Sequence, residues 1–317
     1  MQRFDGVVLG AGAAGMFCAG AAAARGLQVA LVDHAPRLGE KIRISGGGRC
    51  NFTNLEADRA ERFVSDDPDF ARTALQAYRP AAFVRRVESH GIGWHEKHRG
   101  QLFCDDSSER IVEMLRRECD RGGVRWFRPC AVRSVTAGEP GPPAAGADRR
   151  APRFTVQTDA GALGAAALVV ATGGLSIPKI GATDLGYRLA RQFGLGVVEP
   201  RPALVPLTFT SDAWRPFASL AGLGLEVDIR VPARPGAPSF REDMLFTHRG
   251  LSGPAILQAS TYWRPGDDLH TSGWMRATAP GGDASFEGQV AWSGELGYGV
   301  RAPEQGQSAD EPAGGQG

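Results

Sequence analysis

Apolar positions recur along this chain with two spacings, and the change from one to the other marks its elements. Phe4 to Leu9 is a short β-branched apolar run that predicts a buried strand. Gly10-Ala-Gly-Ala-Ala-Gly15 follows, then an Ala-rich helix to about Arg25 that Gly26 stops. Leu27 to Val32 is a second buried strand, closing on Asp33. This is a βαβ unit opened at the first residues.

Further on, Asp69 to Val87 has helical spacing broken at Pro80. Asp106 with Glu109 reads as a capping box for a helix whose buried stripe is Ile111, Val112, Leu115 and Cys119. Val124 to Val135 reads as one strand, Ala137 to Arg153 as a Pro/Gly/Ala-rich hairpin excursion, and Phe154 to Thr158 as a half-exposed strand. Leu168 to Gly174 is a buried strand running into a glycine turn, and Leu185 to Phe193 a helix ended by Gly194. From Pro200 short strands dominate: Leu204 to Phe209, Gly224 to Val231 and Met244 to Phe246. Ser252-Gly-Pro then starts a helix over Ala255 to Trp263. Pro265 to Gly317 has 12 Gly, 4 Pro and only five Leu, Ile, Val or Phe in 53 residues, too little apolar surface to offset its ordering entropy. It is expected to be largely unstructured.

Composition narrows the class. The 317 residues are 42% apolar and 22% charged, as in a soluble globular protein with a real core. Net charge +1 provides no global field, which argues against a dedicated nucleic-acid or anionic-membrane binder. Cys18, Cys50, Cys104, Cys119 and Cys130 form no CxxC, so neither a disulfide framework nor a zinc site is suggested and a cytoplasmic location is expected. The uncharged run Val7 to Ala24 has the length of a membrane span, but twelve of its eighteen residues are Gly or Ala. A strand, glycine turn and small-residue helix is the better reading. His95 and His98, near His90 and Cys104, lack a fourth spaced ligand and read as a solvated loop.

Gly10-x-Gly12-x-x-Gly15 lies between a strand and a helix, the context a dinucleotide fingerprint requires. Its glycines serve a tight turn, backbone approach to a pyrophosphate, and close helix–strand packing. Asp33 ends the second strand 23 residues after Gly10, where a carboxylate accepts both ribose hydroxyls and repels a 2′-phosphate. The fingerprint alone does not separate NAD from FAD. In Ser45-Gly-Gly-Gly-Arg-Cys-Asn51, three glycines expose backbone N–H groups, Arg49 counters phosphate charge, and Lys41, Asn51 and Thr53 add donors. Cys50 reads either as packing or as a thiol near the cofactor.

These residues resemble the bacterial flavoprotein family called BaiN-like, YhiN-like or aminoacetone-oxidase-like. The matching stretches are Gly10 to Gly15 with Asp33, Lys41 to Asn54, Ala171 to Lys179, Val205 to Phe209 and Leu245 to Leu257. The resemblance implies an α/β fold: a glutathione-reductase-type FAD-binding Rossmann domain over residues 1–198 and an inserted β-rich domain over 199–264; composition, not the resemblance, adds the disordered tail over 265–317. It implies FAD as cofactor, with NAD(P)H a candidate electron donor. The cofactor-binding set runs from Gly10, Gly12, Ala13, Ala14 and Gly15 through Asp33, His34 and Lys41. It continues with Ser45, Gly46, Gly47, Gly48, Arg49, Cys50 and Asn51, and ends with Val132, Thr172, Gly173 and Gly174. His248 is the candidate for a catalytic proton carrier, the alternative being a residue that orders its turn.

Family-like text stops near Arg264 to His270, as a truncated or frame-shifted gene would leave it. The expected function is FAD-dependent oxidation or reduction of a small molecule, with no nucleic-acid or membrane partner. A non-catalytic remnant and an NAD-dependent dehydrogenase stand as alternatives.

Overall fold

A computed structural model describes residues 1–59, 63–65, 67–138, 151–209, 211–234, 236–279, 282–292 and 296–298. It divides into two compact units, Met1–Val197 and Val198–Gly317.

In the first unit the chain runs β1 (Gln2–Leu9), α1 (Ala13–Ala23), β2 (Val29–Val32), α2 (Glu40–Ile44), β3 (Asn51–Asn54), α3 (Pro68–Ala77), α4 (Pro80–Ser89), β4 (Trp94–His98) and β5 (Gln101–Cys104). It continues through α5 (Glu109–Arg121), β6 (Arg125–Phe127), β7 (Val132–Ala137), β8 (Phe154–Thr158), β9 (Gly161–Val170) and α6 (Leu185–Gln192). The main sheet has the order β6-β2-β1-β9-β8-β7, and β3-β5-β4 form a small second sheet. β6, β2, β1 and β9 are parallel, with β8 and β7 antiparallel beyond them.

The continuous apolar runs of β1 and β2 are what a sheet covered on both faces requires. Val8, Val29 and Leu31 face one core with Met16 and Ala19 of α1 and Val112 and Leu115 of α5. Val7, Leu9, Ala30 and Val32 face the other with Leu163, Ala165 and Leu189. The small residues of α1 let α5 approach closely: a Cβ on Gly20 would sit 3.5 Å from the Cys119 nitrogen, and the Cys119 thiol donates to the Met16 carbonyl at 3.2 Å. No helix among the described residues is long and apolar enough to cross a membrane, and the Val7 to Ala24 run is divided among β1, a turn and α1.

Several expectations are corrected here. Val124 to Val135 is not one strand. Pro129 offers no ladder N–H, and the chain leaves β6 to donate from Cys130 N–H to the Asp33 carbonyl before starting β7 in another part of the sheet. The capping box does not form. Ser108 is the N-cap of α5, but its hydroxyl donates to the Arg43 carbonyl, Glu109 pairs with Arg43, and Asp106 pairs with Arg110. His95 and His98 lie on strand β4 rather than in a loop, with His95 bonded to Asp105 at 2.8 Å. Most of the 137–153 excursion, residues 139–150, lies outside the described residues.

The second unit contains β10 (Leu207–Phe209), α7 (Ser211–Trp214), β11 (Gly224–Arg230), β12 (Phe240–Thr247), β13 (Gly250–Ser252), α8 (Pro254–Ala259), β14 (Leu269–Ala279), β15 (Gly282–Trp292) and β16 (Leu296–Tyr298). They form an antiparallel sheet in the order β15-β14-β11-β12-β13-β10-β16. Its core centres on Trp214, stacked on Phe209 at 4.7 Å, and on the fully buried Trp263. β14, β15 and β16 therefore do not follow the expectation of an unstructured tail: β14 pairs with β11, and Leu269 and Thr271 are buried. A ladder satisfies main-chain groups without apolar side chains, so composition averaged over a long segment misses it. Residues 299–317 lie outside the described residues.

Candidate functional site

The turn between β1 and α1 assigns each glycine a different task. Gly10 has φ +101°, and a Cβ there would lie 2.5 Å from the Ala171 carbonyl oxygen. A Cβ on Gly15 would lie 1.7 Å from the Gly10 carbonyl oxygen. Both positions are glycine because the protein's own backbone occupies the space. Gly12 is different. Its φ of −82° and ψ of −167° suit any residue, and a Cβ would meet nothing within 4 Å. It faces open space in a groove. α1 carries no side-chain cap and no acidic residue in its first turn, so its leading N–H groups and positive dipole end are left for a ligand.

The groove is a cavity of about 670 Å³ at the carboxyl ends of β1, β2 and β9. Of the expected residues it gathers Gly10, Gly12, Ala13, Ala14, Asp33, His34, Lys41, Thr172, Gly173 and Gly174. Asp33 accepts hydrogen bonds from Ala11 N–H at 2.5 Å and Ala35 N–H at 2.7 Å. It therefore ties the glycine turn to the end of β2, and each oxygen keeps a second lone pair beyond these bonds. Lys41 donates to the Gly174 carbonyl at 3.0 Å, which fastens α2 to the loop after β9. Glu40 also lines the groove. Its Oε1 is buried without a hydrogen bond among the described residues, although Arg37 Nε lies 3.5 Å away. An orphaned acceptor, an uncapped helix start and a space that a Gly12 side chain would fill fit a ligand combining hydroxyls with a diphosphate, as FAD does.

Asp33→Ala removes two charge-assisted hydrogen bonds from the turn itself. It is expected to lower the stability of the FAD-free protein by about 2 kcal/mol, read from urea unfolding, besides weakening cofactor binding.

A second cavity, also of about 670 Å³, shares Ala13, Ala14, Lys41 and Ile42 with the groove and adds Ser45, Cys50 and Asn51 of the expected set. The Ser45–Gly48 run is a 3-10 turn with φ of 60°, 66° and 86° at Gly46, Gly47 and Gly48. These glycines serve the turn: a Cβ on Gly46 would strike the Phe103 ring and the Asn51 nitrogen, both at 2.7 Å. Gly46, Gly47, Gly48, Arg49, Val132 and Gly15 line neither cavity; Arg49 is exposed and Val132 packs against the sheet core. Burial raises the Cys50 thiol, and likewise pushes Cys104 and Cys119 up to about 12, so none of these is a ready thiolate. His248 is exposed in the β12–β13 turn of the second unit. That turn is ordered instead by Thr247, whose hydroxyl donates to the Gly250 carbonyl at 2.8 Å and accepts from Arg249 N–H.

Sequence reasoning missed Glu40, Gly186 and Tyr187, all lining the groove. Gly186 carries a readable trace, since a Cβ there would meet the Thr172 hydroxyl at 2.7 Å, but a glycine near a helix start has many causes.

A family model described as HI0933-like protein Rossmann domain matches residues 4–308, past the point where family-like text was expected to stop. The chain belongs to this family. It is a family of FAD-binding Rossmann oxidoreductases. Among the relatives, the ribosomal RNA dihydrouridine synthase of Escherichia coli (strain K12) is 45% identical over 267 residues, covering 84% of this chain and 63% of that protein. The protein of the same name from Haemophilus influenzae is 41% identical over 268 residues, covering 84% of this chain and 64% of its own. A 3-dehydro-bile acid delta(4,6)-reductase of Clostridium scindens is 30% identical over 262 residues, covering 80% of this chain and 59% of that protein. The chain thus spans 63% and 64% of the lengths of the first two relatives.

Proposed function

We propose that this chain holds FAD in an oxidoreductase that reduces a ring carbon–carbon double bond, with uridine in ribosomal RNA as the substrate. The observation that carries the substrate is the 45% identity to the Escherichia coli ribosomal RNA dihydrouridine synthase. The bile acid reductase, by its name, acts on ring double bonds too.

The first-turn N–H groups of α1 would hold the diphosphate, with room left at Gly12 and a cation supplied by Lys41. Asp33 and Glu40 would accept from the sugar and ribityl hydroxyls. Bound FAD supplies two-electron hydride chemistry. In the balanced reaction the ring gains one hydride and one proton, the hydride lost by a nicotinamide reductant and the proton taken from solvent. The near-zero net charge led away from nucleic acid, but an RNA substrate needs cations only where its backbone passes.

The test is incubation of the FAD-loaded protein with NADH or NADPH and unmodified rRNA, followed by nucleoside mass spectrometry. Dihydrouridine that appears only when both FAD and reductant are present is the expected result. Oxidation of the reductant with unaltered rRNA would retain the oxidoreductase and remove the RNA substrate.

A further inference from the structure

We propose that the second cavity of the first unit receives a pyrimidine swung out of an RNA chain, and that Arg79 at its edge takes the adjoining phosphate. This rests on the RNA reading above and gives that reading a site. A ring seated there lies next to the cofactor groove, because Ala13, Ala14, Lys41 and Ile42 line both spaces.

The walls suit a flat ring. Phe17 and Tyr78 meet edge to face at 5.3 Å, Phe52 and Phe83 lie 6.0 Å apart, and all four line the cavity. Phe17 is braced from behind. The Arg86 guanidinium lies 4.5 Å from its ring centroid and is bonded to Glu118 at 3.1 Å, which also holds His90 at 3.1 Å. Arg86 is thus a positioning residue: its charge is spent on Glu118, and its plane fixes a wall.

The polar groups suit a base with a phosphate attached. Asn51 lines the cavity with an exposed amide that has no hydrogen-bond partner among the described residues. A carboxamide offers a donor and an acceptor side by side, matching the alternating edge of uracil. Arg79 is exposed and unpaired among the described residues, whereas Arg72 is held by Asp69 at 2.9 Å and Arg59 by Glu56 at 3.1 Å. A nucleotide gives each of them a partner, the base edge for Asn51 and the phosphate for Arg79. Every base has a face to stack on an aromatic wall, and the cation supplies the salt-sensitive part of the affinity.

The FAD-loaded full chain, with its Tyr78→Ala, Tyr78→Phe, Arg79→Glu and Arg79→Lys variants, would be titrated with fluorescent oligouridine and its abasic counterpart at low and moderate salt. Tyr78→Ala is expected to weaken oligouridine about tenfold and leave the abasic strand unaffected, with Tyr78→Phe close to wild type. Arg79→Glu is expected to weaken both strands about tenfold at low salt and flatten the salt dependence, with Arg79→Lys retaining most of the affinity. Equal affinity for the two strands in the wild type, or indifference to both Tyr78→Ala and Arg79→Glu, overturns the proposal. So does loss of FAD from Tyr78→Ala, which would give the cavity to the cofactor. If wild-type protein binds as expected yet makes no dihydrouridine, the site stands and the reduction reading falls.

Discussion

Gly12→Val is expected to produce a folded protein that has lost its FAD. The backbone at residue 12 is extended, with φ −82° and ψ −167°, and valine adopts it without strain. Among the described residues no atom lies within 4 Å of the Cβ position, so none of them resists the side chain. The substitution costs less than about 1 kcal/mol through the weaker N-cap alone. The isopropyl group instead fills the space in front of the α1 N–H groups, where the diphosphate must approach. An affinity loss of at least a hundredfold, about 2.7 kcal/mol, is expected. Flavin absorbance after purification and melting with added FAD both read it. At a hundred times its Kd, FAD stabilises the wild type by about 2.7 kcal/mol, and the same FAD concentration stabilises the variant by no more than about 0.4 kcal/mol. A yellow Gly12→Val protein would remove the diphosphate from this turn.

Gly15→Ala is expected to fail at the level of folding. In a helix interior this exchange ordinarily stabilises by up to about 1 kcal/mol. Here the added carbon would lie 1.7 Å from the Gly10 carbonyl oxygen, a backbone atom already constrained between β2 and β9. Relief requires α1 to lift off the sheet and give up part of the core around Met16 and Ala19. We expect a loss of about 3 kcal/mol or more, a large share of a domain's net stability. Gly20→Ala is the control on the same helix. Its Cβ would make only ordinary contacts, 3.5 Å from the Cys119 nitrogen, so neutral or slightly higher stability is expected. Thermal unfolding of the three proteins without FAD separates them. A Gly15→Ala protein as stable as Gly20→Ala would mean that α1 has slack at its start.

The two variants also show where reading the chain stops. β1, the glycine turn, α1, β2 and the strand-ending Asp33 are legible because local hydrogen bonding and two-sided burial write them within some thirty residues. The same local rules mislead wherever a distant partner competes. Asp106 and Glu109 have capping-box spacing, yet Arg43 and Arg110 claim them. Val124 to Val135 is apolar enough for one strand, yet Pro129 and the bond from Cys130 to Asp33 divide it. His248 stands out by residue type, while Thr247 orders its turn.

By itself the sequence determined that the chain opens with a phosphate-binding βαβ unit, because the spacing of three glycines and one acid is a local constraint on backbone and charge. Only the tertiary structure decided which of these glycines are hemmed in by backbone and which faces open space. It alone brought Lys41 to Gly174, left Glu40 an orphaned acceptor at the groove, and recruited Leu269–Ala279 as a strand beside β11. Those outcomes depend on which atoms arrive from far along the chain, and no local preference encodes that.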